Sequence, residues 1–306
     1  MNQIHSLDRV PFRNVWLTIG VFDGVHRGHQ EILRSLVSQA HQSGEPALVL
    51  TFDPHPAVVL GGNTDFRCLN TLDERAELLG TFDVDAVITQ VFSREFANQT
   101  AEQFMRQVVR SVGLRCLFIG YDTALGRGRE GNAARLTEIG KQLGYTVQTV
   151  PPLRDKKGII SSTRIRQSIA AGQVSAATDD LGHYYAITGQ VIHGDGRGHR
   201  IKVPTANIEV PQIKVLPAYG IYACWAWVDG QKYRAATNVG VRPTFTPDLP
   251  APTIEAFLLD FNRDIYGQQV KLEFAAYLRP EEKYETVEEL VQQIRVDIDH
   301  TREILV

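Results

Sequence analysis

The chain has 306 residues, 43% of them hydrophobic and 22% charged, with a formal net charge of −3 at pH 7. This length favours two domains over a single core, and the balance of apolar and charged residues excludes a disordered chain. With no long Lys/Arg run and no apolar run long enough to span a bilayer, neither nucleic acid nor a membrane is an expected partner. Cys68, Cys116 and Cys224 are few, odd in number and far apart, without a CxxC. Together with an N-terminus that lacks a signal pattern, they suggest reduced, buried thiols in a cytoplasmic protein.

From residue 15, short apolar runs alternate with segments of helical period, the pattern of βαβ units and a parallel sheet. VWLTIGV (15–21), PALVLTF (46–52), DAVITQVF (85–92), RCLFIG (115–120) and YTVQTV (145–150) read as buried strands. Ile32, Leu33, Leu36, Val37 and Ala40 mark one face of a helix that Gly44 ends, and Thr71 with Glu74 and Thr100 with Gln103 read as capping boxes. Residues 1–183 are therefore expected to form a doubly wound, Rossmann-like α/β domain.

Beyond residue 183 the runs become alternating strands broken by Gly, Pro and Asn. Asp229-Gly230 marks a type I′ hairpin within YGIYACWAWVDGQKYRAATNVG (219–240). TIEAFLLDF (253–261) and QVKLEFAAYL (269–278) add strands, and Thr286 with Glu289 opens a last helix carrying Leu290, Ile294 and Ile298. Residues 184–306 are expected to form an all-β unit, a small antiparallel β-barrel closed by a terminal helix.

Two segments concentrate chemistry in the first domain. GVFDGVHRGHQ (20–30) lies where a first strand turns into a first helix, the place at which open parallel sheets bind ligands. Gly20 and Gly24 allow a tight turn or close backbone approach. Gly28 lets a ligand or strand approach the first helical turn, and His26 and His29 flank it beside unsatisfied N–H groups. On its own the histidine pair is open to three readings: metal ligands, phosphate-directed donors, or polar residues at a helix start. ISSTRIRQSIAAG (160–172) supplies Ser162, Thr163, Arg164 and Arg166 at a second helix start, either holding phosphate oxygens or capping a helix. Together the segments describe a nucleotide-triphosphate site.

In the second half, Gly194, Gly196 and Gly198 either fold a loop closely over an anion or form only a flexible turn. No GK[ST] follows them, so the segment is not a P-loop. Thr205 and Asn207, two apart on an expected strand, point their oxygens to one side and suit a hydrated Mg²⁺ that bridges phosphates.

GVFDGVHRGHQ, TFDPHP, FIGYD and ISSTRIR, in this order, resemble the adenylyltransferase half of prokaryotic bifunctional riboflavin kinase/FAD synthetases, which are HxGH nucleotidyltransferases. PTAN, TNVGVRPTF, IEAFLLDF, DIYG and YLRPEEKY resemble the riboflavin kinase half of the same family. The resemblance covers nearly the whole chain. It implies ATP-dependent phosphorylation of riboflavin to FMN and adenylylation of FMN to FAD with release of pyrophosphate, both with Mg²⁺. By the same resemblance His26 and His29 stabilise charge on the phosphates, and Ser162, Thr163 and Arg166 hold the departing pyrophosphate. Glu255 becomes the general base for the ribityl hydroxyl.

Asp23 lies in the histidine loop, and His55, framed by prolines, either touches phosphate or flavin or shapes its loop. Asp122 belongs to the flavin-side pattern, where Thr123 and Leu125 stand in place of the family's aromatics. Asn238 joins the cofactor-binding set. Arg279 either reaches flavin or phosphate or pairs with Glu281 or Glu282. Lys202 stands where a glycine is common. Two other readings of the sequence remain: an HxGH transferase with a different acceptor, and a flavin- and nucleotide-binding regulator that has lost turnover.

Overall fold

The computed structural model describes residues 2–61, 66–194, 204–241 and 252–306. Gly196, Gly198 and Lys202 lie outside the described residues. The chain divides into two compact units, Met1–Ser162 and Thr163–Val306.

In the first unit, β1 (Asn2–Ile4), β2 (Trp16–Ile19), β3 (Ala47–Asp53), β4 (Ala86–Val91), β5 (Cys116–Gly120) and β6 (Thr146–Val150) form one parallel sheet in the order β1-β4-β3-β2-β5-β6. Helices α1 (Arg27–Gln42), α2 (Pro56–Gly61), α3 (Leu72–Gly80), α4 (Arg94–Ala97), α5 (Ala101–Val112) and α6 (Ala133–Leu143) connect the strands. A two-stranded ribbon of β7 (Arg154–Asp155) and β8 (Gly158–Ile159) follows.

The sheet is covered on both faces, which is why its strands read as unbroken apolar runs. Leu17, Leu48, Leu50, Phe104, Met105 and Ile139 share one core. On the other face Val49 joins Leu33 and Leu79, while Leu36 joins Cys116 and Phe118. Alternate residues of β3 therefore serve opposite cores, as the two-residue period of a strand requires. Strand order reverses between β2 and β5, so their carboxyl ends diverge into a crevice, the place where such sheets bind ligands. The capping boxes at Thr71/Glu74 and Thr100/Gln103 are formed, and Gly44 takes a φ of 68° just past the end of α1. Strand β1 was not foreseen, because three residues carry too little periodicity to register.

In the second unit α7 (Ser162–Ala170) and α8 (Val174–Leu181) precede the strands β9 (Tyr185–Ile192), β10 (Ala206–Ile208), β11 (Gly220–Val228), β12 (Gln231–Val241), β13 (Pro252–Leu258) and β14 (Gln269–Arg279). These close into an antiparallel barrel in the order β10-β13-β12-β11-β14-β9, and α9 (Val287–Ile304) ends the fold. The division falls ahead of residue 183, with α8 packed on β14 and β9 of the barrel and α7 tied to α8 through Arg164 and Asp180. Ser175 Oγ donates to the Ala275 carbonyl of β14 at 3.1 Å. The barrel core is aromatic: Tyr185, Tyr222 and Phe274 are fully buried, and the last two meet edge to face at 5.4 Å. The β11–β12 hairpin turns at Asp229 and Gly230 with φ of 49° and 75°, the positive values of a type I′ turn.

Candidate active sites

The first site begins where β2 leaves the sheet. Gly20 N donates to Leu50 O at 3.0 Å, and the chain then turns through Phe22, Gly24 and Val25 with φ of 54°, 84° and 40°. A β-branched residue at positive φ is strained, so its surroundings must hold it there. Asp23, 2% exposed, accepts from Leu69 N at 2.8 Å and Asn70 N at 3.3 Å, while Asn70 Oδ1 accepts from Gly24 N at 2.7 Å. Ser162 Oγ donates to the Asp23 carbonyl at 2.8 Å. Asp23 and Ser162 are thus seen holding the loop in place.

His26 is the N-cap of α1. Its Nδ1 accepts from His29 N at 3.4 Å, so the ring proton sits on Nε2. The two imidazoles stack at 3.7 Å and 18°, and Phe22 meets His29 edge-on at 5.1 Å. Burial pulls the His26 pKa down to about 4; burial and then the charge of His26 pull that of His29 well below its ordinary value. At neutral pH both rings are therefore uncharged N–H donors beside a helix N-terminus. His29 Nδ1 is buried without a hydrogen-bond partner among the described residues.

The glycines have a more local use than a ligand's approach. A Cβ on Gly28 would stand 3.2 Å from both Cε1 and Nδ1 of His26, and one on Gly20 would stand 3.1 Å from the Phe22 ring. Each clears space for a ring of the loop itself. His55 Nδ1 accepts from Ala57 N at 3.0 Å, and its ring lies 4.4 Å from Phe66, contacts that shape the loop at the start of α2.

Sequence reasoning missed Arg75. It is 3% exposed, and its guanidinium donates to Val21 O at 3.1 Å and Phe52 O at 2.9 Å, tying the loop that follows β2 to the carboxyl end of β3. Burial lowers its pKa, while Asp23 and then Asp53 pull it back up. The Thr71/Glu74 box located α3 in the sequence, but nothing in the pattern turns this cation inward.

A cleft of about 940 Å³ opens at the carboxyl ends of β2 and β5, with Gly20, His29, Gly120 and Asp122 along it. Phe52, Phe92, Phe96 and Phe104 form a linked aromatic cluster on its wall, with successive ring centroids 5.1 to 5.7 Å apart. Asp122 is exposed, and its carbonyl accepts from Arg129 Nη2 at 3.1 Å. In the second unit, Arg166 Nη2 donates to Thr163 Oγ1 at 3.2 Å, whereas Arg164 forks onto Asp180, with its Nε donating at 2.8 Å, and is committed to the fold.

The second site is a row across three barrel strands. Asn207 of β10 and Asn238 of β12 both pair in register with Glu255 of β13. Their strand neighbours Ala206, Ile208, Ile254, Ala256, Thr237 and Val239 are buried in the barrel, so these three polar residues share the opposite face. Thr205 Oγ1 donates to Glu255 Oε2 at 3.4 Å. The Oδ1 atoms of Asn207 and Asn238 are both buried without a partner among the described residues. A Cβ on Gly194 would come 2.3 Å from Asn207 Nδ2, so here glycine is required for close approach of the amide.

Residues 10–164 match the family model of FAD synthetase, and residues 181–305 match that of riboflavin kinase. Proteins named bifunctional riboflavin kinase/FMN adenylyltransferase are 34% identical in Listeria monocytogenes (94% of this chain, 92% of that one) and 36% in Haemophilus influenzae (97% and 96%). The chain belongs to the bifunctional riboflavin kinase/FMN adenylyltransferase family. A solved structure described as a macrolide-efflux protein from Streptococcus pneumoniae is also similar, with TM-score 0.90, 33% identity and 98% of each chain covered. No helix among the described residues of this family member is long and apolar enough to cross a membrane.

One position differs from both pairings considered for it. In this member of the riboflavin kinase/FMN adenylyltransferase family, Arg279 pairs with neither Glu281 nor Glu282. Its Nε and Nη2 fork onto Asp297 of α9 at 2.8 and 2.7 Å, and Nη1 donates to Pro280 O at 3.0 Å. The Asp297 hydrogen bonds raise its pKa. Arg279 here clamps the end of β14 to the last helix, a pairing eighteen residues away in sequence and therefore invisible to local spacing.

Proposed function

We propose that the C-terminal barrel phosphorylates riboflavin to FMN with ATP, and that the N-terminal α/β unit transfers AMP from a second ATP to FMN, giving FAD and pyrophosphate. The observation that carries this reading is that both halves match along nearly their whole length while each contains a built polar site.

In the adenylyl step an FMN phosphate oxygen attacks the α-phosphorus of ATP, and the bond to pyrophosphate breaks. No covalent nucleophile on the protein is needed, so catalysis rests on positioned donors. Nε2–H of His26 and the His29 ring donate to phosphate oxygens, reinforced by the free N–H groups at the start of α1. Their neutrality without ligand lets the stack form, because two charged rings at 3.7 Å would repel. Ser162, Thr163 and Arg166 hold the departing pyrophosphate. The flavin lies in the cleft beside Asp122, where the Phe52, Phe92 and Phe96 wall offers the aromatic surface that Thr123 and Leu125 do not.

In the kinase step Glu255 accepts the proton of the terminal ribityl hydroxyl as its oxygen attacks the γ-phosphorus and ADP leaves. Thr205 and Asn207 would hold a hydrated Mg²⁺, which suits hard oxygen donors and supplies charge neutralisation on the phosphates. The buried, unpartnered Asn207 Oδ1 fits such a ligand. The three cysteines are free and buried, which suits the reducing cytoplasm, where we place the protein.

The test is to incubate the purified chain with riboflavin, ATP and Mg²⁺ and to separate the flavins over time. FMN should rise first and then give way to FAD. Tight flavin binding with no product would favour a regulator instead.

A further inference from the structure

We propose that Glu281 is a positioning residue of the phosphorylation site. It fixes the Asn238 amide so that its oxygen is held beside Glu255 as an acceptor for an incoming O–H donor. This rests on the riboflavin kinase reading of the barrel and assigns a role to a residue to which the resemblance gives none.

The argument starts from what a carboxylate accepts. Asn238 Nδ2 donates to Glu281 Oε1 at 2.9 Å. An ionised carboxylate has no proton to give, so only the NH₂ end of the amide is stable against it, and the amide cannot flip without losing that bond. The opposite end, Oδ1, is buried and has no partner among the described residues. Asn207 Oδ1 on the other flank of Glu255 is in the same condition. Buried acceptors left open on both sides of a carboxylate are costly unless a donor or a cation arrives from outside, and with Asn207 Oδ1 given to the cation, Asn238 Oδ1 is left for a donor.

Gly240 lies two residues beyond Asn238, on the same face of β12. A Cβ there would stand 2.3 Å from Glu281 Oε1, so the carboxylate end rests directly against the strand at this position. Arg279, two residues before Glu281, is taken by Asp297 and leaves this carboxylate to Asn238.

The donor that Asn238 Oδ1 awaits is an O–H group, supplied either by the polyol chain of riboflavin or by water bound to Mg²⁺. Kinetics of FMN formation separate the two. Riboflavin and Mg²⁺ dependence are measured for wild type, Glu281→Ala, Asn238→Ala, the double variant and Glu281→Gln. Glu281→Ala should lower kcat/KM about tenfold, as loss of one oriented hydrogen bond predicts. A raised riboflavin KM identifies the polyol as donor, and a raised Mg²⁺ requirement identifies the metal's water. The double variant should be no worse than Asn238→Ala, because the carboxylate acts through the amide. Glu281→Gln keeps a carbonyl acceptor but adds a donor, so the Asn238 amide can sit either way round and the activity should fall between wild type and Glu281→Ala.

Glu281→Ala at the wild-type rate, an equal loss in both backgrounds, or Glu281→Gln as impaired as Glu281→Ala would each overturn the assignment. A wild-type chain that forms no FMN would overturn the kinase reading instead.

Discussion

Gly28 illustrates what one missing methyl group does at the residue scale. It is the second residue of α1, where alanine would be favoured over glycine by up to ~1 kcal/mol. Against that gain, an added Cβ meets the His26 ring at two atoms, 3.2 Å each, so the ring must shift by a few tenths of an ångström against His29. Gly28→Ala should therefore leave urea stability unchanged or slightly raised while FMN adenylylation falls at least about tenfold and riboflavin phosphorylation is preserved. Unchanged adenylylation would show that the ring yields without consequence. The two histidines could be read from HxGH. Their stacking, their neutrality and the contact that makes the glycine necessary could not, because these depend on burial and ring orientation rather than on spacing.

At the scale of elements, helix starts were the most legible features. A capping box is a contact between residues three apart, so Thr71/Glu74, Thr100/Gln103 and Thr286/Glu289 could be read directly and all are formed. The packing of α9 was less legible. Leu290, Ile294 and Ile298 along it are only partly buried, whereas Asp297 and Thr301 are buried at 4% and 0% exposure. Asp297 is matched by the Arg279 fork, with side chains 17% and 5% exposed. Removing one partner of a buried pair leaves the other charge uncompensated. Asp297→Ala should therefore cost about 3 kcal/mol of barrel stability, read from chemical denaturation of the kinase activity. A loss below about 1 kcal/mol would show that Arg279 finds water instead.

For the whole molecule, the proposed reactions use different central residues: His26 and His29 lie in the first compact unit, and Glu255 with Thr205 and Asn207 in the second. Glu255→Gln should abolish FMN formation but leave adenylylation of supplied FMN, and His29→Ala should do the reverse. Loss of both activities in either folded variant would contradict two independent sites. The compact division falls at residue 162, whereas the change in strand pattern falls near residue 183, with α7 and α8 between them. Strand grammar marks where sheet type changes, and it cannot say which unit a connecting helix packs against.

Local chemistry in the sequence by itself determined the parallel and antiparallel halves, the hairpin at Asp229-Gly230, the helix caps and the motifs that resemble one enzyme family. Each of these depends on contacts within a few residues or on a short repeat period. Only the tertiary structure decided that Arg75 ties the loop after β2 to the end of β3, that Arg279 belongs to Asp297, and that Asn207, Glu255 and Asn238 stand in one row with Glu281 beside them. Those contacts join residues between 17 and 54 positions apart. Chain closure, register and burial choose them, and none leaves a periodic trace in the sequence.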